Sequence, residues 1–277
     1  MKLDLSNKDL TTLDGIDLSG VTILICYNNQ LTSLPPLPKT LKKLNCHNNQ
    51  LTSLPPLPKT LKDLHCDNNQ LTSLPHLPAS LKELYCSHNQ LTSLPHLPKT
   101  LKELYCSHNQ LTSLPPLPKT LKDLHCDNNQ LTSLPPLPES LKKLYCWNNQ
   151  VTSLPPLPET LEILSCSNNQ LPSLPKTLKE LYCHYNQLTS LPPLPETLEI
   201  LYCYDNRLTS LPDLPWGLEN MTEEQLDQHN KKRIDLGMET VETLSDKKTW
   251  DEINEQHMDW LYRIGGEKYN EVVSAMN

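Results

Sequence analysis

The residues with most chemistry available are ten cysteines: Cys26, Cys46, Cys66, Cys86, Cys106, Cys126, Cys146, Cys166, Cys183 and Cys203. Their spacing decides what that chemistry is. Steps of twenty residues on stacked strands deliver a row of sulfurs, whereas a zinc site needs four ligands converging on a tetrahedron. Neighbours in such a row have Cα atoms about 5 Å apart, a distance at which a disulfide is geometrically open. Each cysteine, however, sits two residues after a leucine, so the pair shares one face of an extended segment. The pattern therefore reads the cysteines as small buried hydrophobes whose thiols stay protonated and inert. Free thiols in turn fit a reducing compartment.

Histidines and acids form a second set. His65 lies between Asp63 and Asp67, and His125 lies between Asp123 and Asp127. The two sets are near-identical and sixty residues apart, which is what duplicated units leave, so no metal site is expected. No nucleotide-binding loop or serine elbow occurs, and no cysteine–histidine pairing stands outside the register. No catalytic residue and no cofactor are expected, and the chain reads as a non-enzyme. A third set alternates with the inward leucines: Tyr85, Tyr105, Tyr145, Trp147, Tyr182, Tyr202 and Tyr204, with the acids Glu83, Glu103 and Asp123. Their period assigns them to an exposed face. Exposed aromatics on a rigid sheet supply binding energy, and neighbouring acids steer encounter. These ten residues are the candidate partner-binding set.

The element that positions all three sets is one unit. Leu41 to Thr60 reads LKKLNCHNNQLTSLPPLPKT and recurs from Leu61, Leu81, Leu101, Leu121, Leu141 and Leu161. A fixed period of twenty is the mark of a solenoid. Leu44 and Cys46 point inward while Lys43, Asn45 and His47 point outward. A strand this short buries its apolar face only by stacking on its copies, and the copies run parallel because each coil returns to the same start. Asn49 and its equivalents follow each strand, where a carboxamide that donates and accepts can satisfy the backbone of a sharp turn. In the return path, Pro35 and Pro36 fix φ near −65° and disfavour helix. That side is expected to be extended or polyproline-II-like. Between Leu171 and Gln187 the unit has seventeen residues, three fewer than its neighbours, and the loss falls on the return path.

The pattern L-x-x-L-x-C-x-x-N-x-L-x-x-L-P-x-L-P, repeated over roughly residues 1–215, resembles the leucine-rich repeat. It is similar to the short, proline-rich class of secreted bacterial effectors and to cysteine-bearing arrays of giant DNA viruses. The resemblance implies an α/β-class solenoid: a right-handed horseshoe with a parallel concave β-sheet that binds other proteins. The third strand position is aliphatic in that class and cysteine here. The class opens with a helical hairpin for which this chain has no room. Some members append a ubiquitin-ligase domain with a nucleophilic cysteine, but no cysteine follows Cys203.

Three segments follow from the pattern. Residues 1–20 are an atypical coil that reads as an N-terminal capping repeat, residues 21–215 are the array, and residues 216–277 lack the repeat. The last segment carries fourteen acids and seven bases, seven of the eight net negative charges. Capping-box spacings at Thr222–Gln225 and Thr249–Glu252 predict α-helices there, read as an acidic helical cap over the last strand or as a docking module. No apolar run approaches the length of a membrane span, and the start shows no signal-peptide pattern. The array is neutral to acidic with no basic stripe to neutralise phosphate, so nucleic acid is not expected as a partner, and no membrane partner is expected either. The reading is a monomeric cytoplasmic scaffold that binds a protein through its concave face. Two rivals stay open: an adaptor that recruits a catalytic partner, such as a ubiquitin-ligase component, through the acidic segment, and a structural array without a specific ligand.

Overall fold

The computed structural model describes residues 1–166, 174–184, 186, 188–198, 200–203 and 206–207. Eleven three-residue strands stack in sequence order into one sheet: β1 (Lys2–Asp4), β2 (Ile23–Ile25), β3 (Lys43–Asn45), β4 (Asp63–His65), β5 (Glu83–Tyr85), β6 (Glu103–Tyr105), β7 (Asp123–His125), β8 (Lys143–Tyr145), β9 (Ile163–Ser165), β10 (Glu180–Tyr182) and β11 (Ile200–Tyr202). Every pairing is parallel and in register, Leu44 against Leu64, Leu64 against Leu84, and so on along the array. The expected solenoid with a parallel sheet is therefore what forms. Among the described residues no α-helix occurs, and the return path has no regular secondary structure, because its prolines cannot continue a helix. The expected C-terminal helices, and Tyr204 with them, lie outside the described residues.

The short unit keeps the register. Glu180, Leu181 and Tyr182 of β10 pair with Ile163, Leu164 and Ser165 of β9, an offset of seventeen. The return path here is held by isolated turn bonds, such as the Leu178 N–H to the Pro175 carbonyl at 3.2 Å, and not by a helix or strand ladder, so it can lose residues while the strand stays in place.

The core is a stack of identical layers. Leu41, Leu44, Cys46 and Leu51 have no accessible surface, and the same holds for their equivalents through the middle coils. One such layer in isolation would be a strip of leucine facing water, so the stability of each coil comes from its two neighbours.

Three polar columns stitch the layers together. In the asparagine column, Asn109 donates from Nδ2 to the carbonyl oxygens of Cys86, Cys106 and Ser107, at 3.0 to 3.1 Å. Its Oδ1 accepts from the Leu91 backbone N–H at 2.9 Å. Asn69 and Asn89 repeat the arrangement. The expected turn role of this column is thus observed, with the addition that each side chain reaches back one coil. The sequence reading did not single out the other two columns. Thr100 and Thr120 each donate a hydroxyl to two carbonyls of the preceding coil. The residue before each asparagine is left-handed: Asn28, Asn48, Asn68, Asn128 and Asn148 have φ of 50 to 52°, and His88 and His108 have φ of 51 and 52°. Asn and His are, with Asp, the side-chain-bearing residues most often found in this region, and Asn and His are the ones that occupy these positions.

Candidate functional site

Because the strands are parallel and in register, residues twenty apart become neighbours about 4.8 Å apart. The residue after each strand leucine therefore forms a column across the sheet face, and in the middle of the array that column is aromatic. His65, Tyr85, Tyr105, His125 and Tyr145 stack ring on ring, with centroids 4.3, 4.4, 4.0 and 4.2 Å apart and interplanar angles of 6 to 21°. Tyr27 and His47 form a separate stacked pair at 4.5 Å, one column over, after the cysteines.

This corrects one expectation. Alternation alone assigned these rings to an exposed face, but all five are half-buried. Each ring covers the faces of the next, so only edges and the outer rim reach solvent. Stacked aromatic pairs contribute beyond the area they bury. Burial holds the His65 and His125 imidazoles at about 4, well below the usual range, with Lys43 adding to the effect at His65. His65 Nε2 is buried without a hydrogen-bond partner, consistent with a neutral ring clamped under Tyr85. Burial, assisted by nearby acids, pushes the Tyr105 phenol up to about 12. The ladder is an uncharged aromatic rail at neutral pH.

One residue before each strand leucine runs a column of acids: Asp63, Glu83, Glu103 and Asp123. None makes an ion pair among the described residues, where such pairs are Lys2–Asp4 at 3.3 Å and Lys142–Glu162 at 2.7 Å. Glu103 accepts a hydrogen bond from the Tyr85 hydroxyl at 2.5 Å. Partial burial raises Glu83 above the usual carboxylate range, with the like charges of Asp63 and Glu103 adding to it. Burial raises Asp123 as well. Lys43 and Lys143 close the acid column at its two ends.

The remaining predicted residues fall into two groups. Trp147 follows Cys146, half-buried, one column beyond Tyr145. Tyr182 donates its hydroxyl to Glu180 at 2.9 Å, and Tyr202 is its register partner on β11. Between Tyr145 and Tyr182 stands Ser165, which is buried. The aromatic column is thus interrupted on β9: Tyr85, Tyr105 and Tyr145 belong to the continuous ladder, and Tyr182 and Tyr202 lie past the break.

Two acids also differ from expectation. Asp127 is buried and does not project from the face; its carboxylate accepts from Ser107 Oγ at 2.6 Å and Asn128 Nδ2 at 2.9 Å. Asp67, at the equivalent position, is half-buried, and desolvation pushes it up to about 6. Neither joins its neighbouring histidine. Among the described residues no three side chains of His, Cys, Asp or Glu converge on a metal position.

All ten cysteines are free and buried, as their spacing predicts. Cys46, Cys66 and Cys106 donate their S–H to the carbonyl of the next strand, at 3.3 to 3.4 Å. Burial pushes the Cys26 and Cys146 thiols up to about 12, which removes the thiolate that alkylation requires. Native protein is therefore expected to react slowly with iodoacetamide. After unfolding without reductant, all ten thiols should label, as counted by intact mass. Labelling that stops several thiols short would show disulfides and refute the reduced row.

The structure also supplies a feature that sequence reading denied. Lys42, Lys62, Lys82, Lys102, Lys122 and Lys142 stand two residues before the strand leucines, exposed, on consecutive coils. A basic stripe exists after all. It is hard to see in the sequence because an acid follows most of these lysines and cancels the local charge.

The chain's relatives match this architecture. A family model of paired leucine-rich repeats matches residues 39–79, 99–139, 139–176 and 176–216, and a single-repeat model matches residues 80–99. Among solved structures, YopM from Yersinia enterocolitica WA-314 is 39% identical with a TM-score of 0.75, over 76% of this chain and 48% of that one. This chain thus spans about half the length of that protein. A Shigella effector leucine-rich-repeat domain is 38% identical with a TM-score of 0.51, over 53% of this chain and 69% of that one. The leucine-rich-repeat protein FLRT2, solved in an octameric complex with Latrophilin 3 and Unc5D, is 26% identical with a TM-score of 0.50, over 70% of this chain and 63% of that one. No curated protein matches the chain at a significant level. Repeat models over more than half of its length, on a sheet of parallel strands paired in sequence order, mean that this chain belongs to the leucine-rich-repeat family.

Proposed function

We propose that the protein is a non-enzymatic scaffold that binds a protein partner on the sheet face. The observation that carries this reading is the stacked ladder from His65 to Tyr145 beside a column of four acids without ion pairs. A rail of half-buried rings offers apolar edges that are already rigid, so a partner loses little additional side-chain freedom on docking. The unpaired carboxylates favour a partner whose contacting surface is basic. Solenoids of this family typically serve as binding scaffolds, and FLRT2, a neighbour in fold, is found in a complex with other proteins. The buried free thiols fit a reducing compartment, and on that ground we place the scaffold in the cytoplasm; we read it as a monomer. The first coil and the acidic segment after residue 215 then act as the two caps of the array.

The experiment begins with a partner captured by proximity labelling in the native cell. Trp147→Ala should weaken its binding by at least tenfold, about 1.4 kcal/mol, with the circular dichroism spectrum unchanged. Pro116→Ala, on the return path, should leave binding as in wild type. Equal binding by folded Trp147→Ala and wild type would refute the sheet-face reading.

A further inference from the structure

Between Lys39 and Lys143 the sequence holds twelve lysines and seven acidic residues, a surplus of five positive charges. The fold sorts these lysines. Each lies in the turn entering a strand or within the first residue of the strand. None lies on the other edge, after the cysteines, where Asn, Gln, Thr and Ser predominate. One edge of the sheet therefore carries all twelve lysines against five acids, Asp63, Glu83, Glu103, Asp123 and Glu139, and the opposite edge is uncharged apart from Asp67 and Asp127.

The row itself is held by backbone. The Lys62 N–H donates to the Lys42 carbonyl at 2.7 Å, and the pattern continues through Lys82, Lys102 and Lys122 to Lys142, at 2.7 to 2.8 Å. Six ammonium-bearing side chains thus leave the protein at steps of about 4.8 Å, a line about 24 Å long. All six are exposed. Four further lysines, at 39, 59, 99 and 119, flank the row from the preceding turns, also exposed. The row ends at Thr22 on one side and at Glu162 on the other, where Lys142 is already paired. Like charges on directly opposite positions of a sheet are unfavourable, so the row is a repulsive arrangement that a bound polyanion would relieve.

The chemistry of the edge selects the kind of polyanion. A protein interface needs an apolar centre, and among the described residues the one exposed large hydrophobic is Met1, at the far end. A bilayer presents a plane of charge, whereas this is a narrow line. A phosphodiester backbone is itself a line of negative charges and needs only cations to bind without regard to sequence.

We propose that the lysine edge binds a nucleic-acid backbone, independently of base sequence. The site is on a different edge from the aromatic ladder, so its success or failure leaves the sheet-face reading untouched. The probe is a fluorescent oligouridylate of about twenty nucleotides, read by anisotropy with the full chain. Six lysine–phosphate contacts predict an affinity loss of about 300-fold between 50 and 200 mM salt. The double variant Lys82→Gln/Lys102→Gln should weaken binding at least tenfold at low salt and flatten the salt dependence. Lys8→Gln, on the opposite edge of the first coil, should change nothing. The proposal is overturned by no anisotropy change at 50 mM salt, by a double variant that binds like wild type, or by a salt-independent signal. Flotation of the protein with phosphatidylserine vesicles in the absence of RNA binding would also overturn it and assign the edge to a lipid surface.

Discussion

Cys106→Asp should cost at least about 3 kcal/mol of stability at pH 7, the scale of an uncompensated buried charge. Cys106 has no accessible surface, is walled by leucines of its own and neighbouring coils, and its only polar contact is the His125 carbonyl. A carboxylate there faces an oxygen lone pair and no donor. Desolvation raises the folded-state pKa above the unfolded value, so between the two the folded state holds the extra proton. Acidification from pH 7 toward 4 should therefore narrow the deficit, and urea denaturation at both pH values reads it directly. Tyr105→Ala, one residue earlier, removes a ring stacked between Tyr85 and His125 and should cost about 1–2 kcal/mol. Equal losses for the two variants, or a Cys106→Asp loss that does not depend on pH, would show that the inward and outward assignments are wrong.

Asn109→Ala carries the second large effect, a loss of about 1–3 kcal/mol. The bonds are unequal in consequence. The Cys86, Cys106 and Ser107 carbonyls each keep another donor, respectively Asn89 Nδ2, Asn129 Nδ2 and the His88 N–H. The Leu91 N–H has only Asn109 Oδ1, and truncation strands it in the core. Asn109→Asp retains that acceptor but points a second oxygen at three carbonyls. It should be at least as damaging as the alanine variant at pH 7 and should recover on acidification, when the carboxyl regains a proton to donate. An aspartate variant as stable as wild type at pH 7 would refute the donor role of Nδ2.

Much of this was legible in the sequence, and the reason is the period. Leu44, Cys46 and Asn49 recur at fixed offsets, so the inward rows, the free thiols and the turn asparagine follow from alternation and from what one coil cannot do alone. What escaped notice depends on side chains twenty residues apart meeting. Tyr85 and Tyr105 are outward by alternation, yet they bury each other. Asp127 is outward by offset, yet it turns into the turn to meet Ser107 and Asn128. Lys82 precedes Glu83 in the chain and looks neutralised, yet in space it stands in a row with Lys62 and Lys102. Residue-by-residue reading assigns a direction to each side chain. The surroundings belong to the column, and the column exists only after stacking.

The asparagine column also has a bearing on synthesis. Each Asn reaches backward: Asn109 satisfies groups of the coil that contains Leu91, and the Thr100 hydroxyl closes carbonyls of the same earlier coil. A coil leaving the ribosome therefore carries polar groups whose partners have not yet been made. They are met only when the next twenty residues emerge, roughly 1–4 s later at ordinary translation rates. Folding on the ribosome should thus trail translation by one full coil, with the most recent coil always the incomplete one. The nascent chain grows with a permanently unfinished end, and the array acquires its order in the direction in which it is translated.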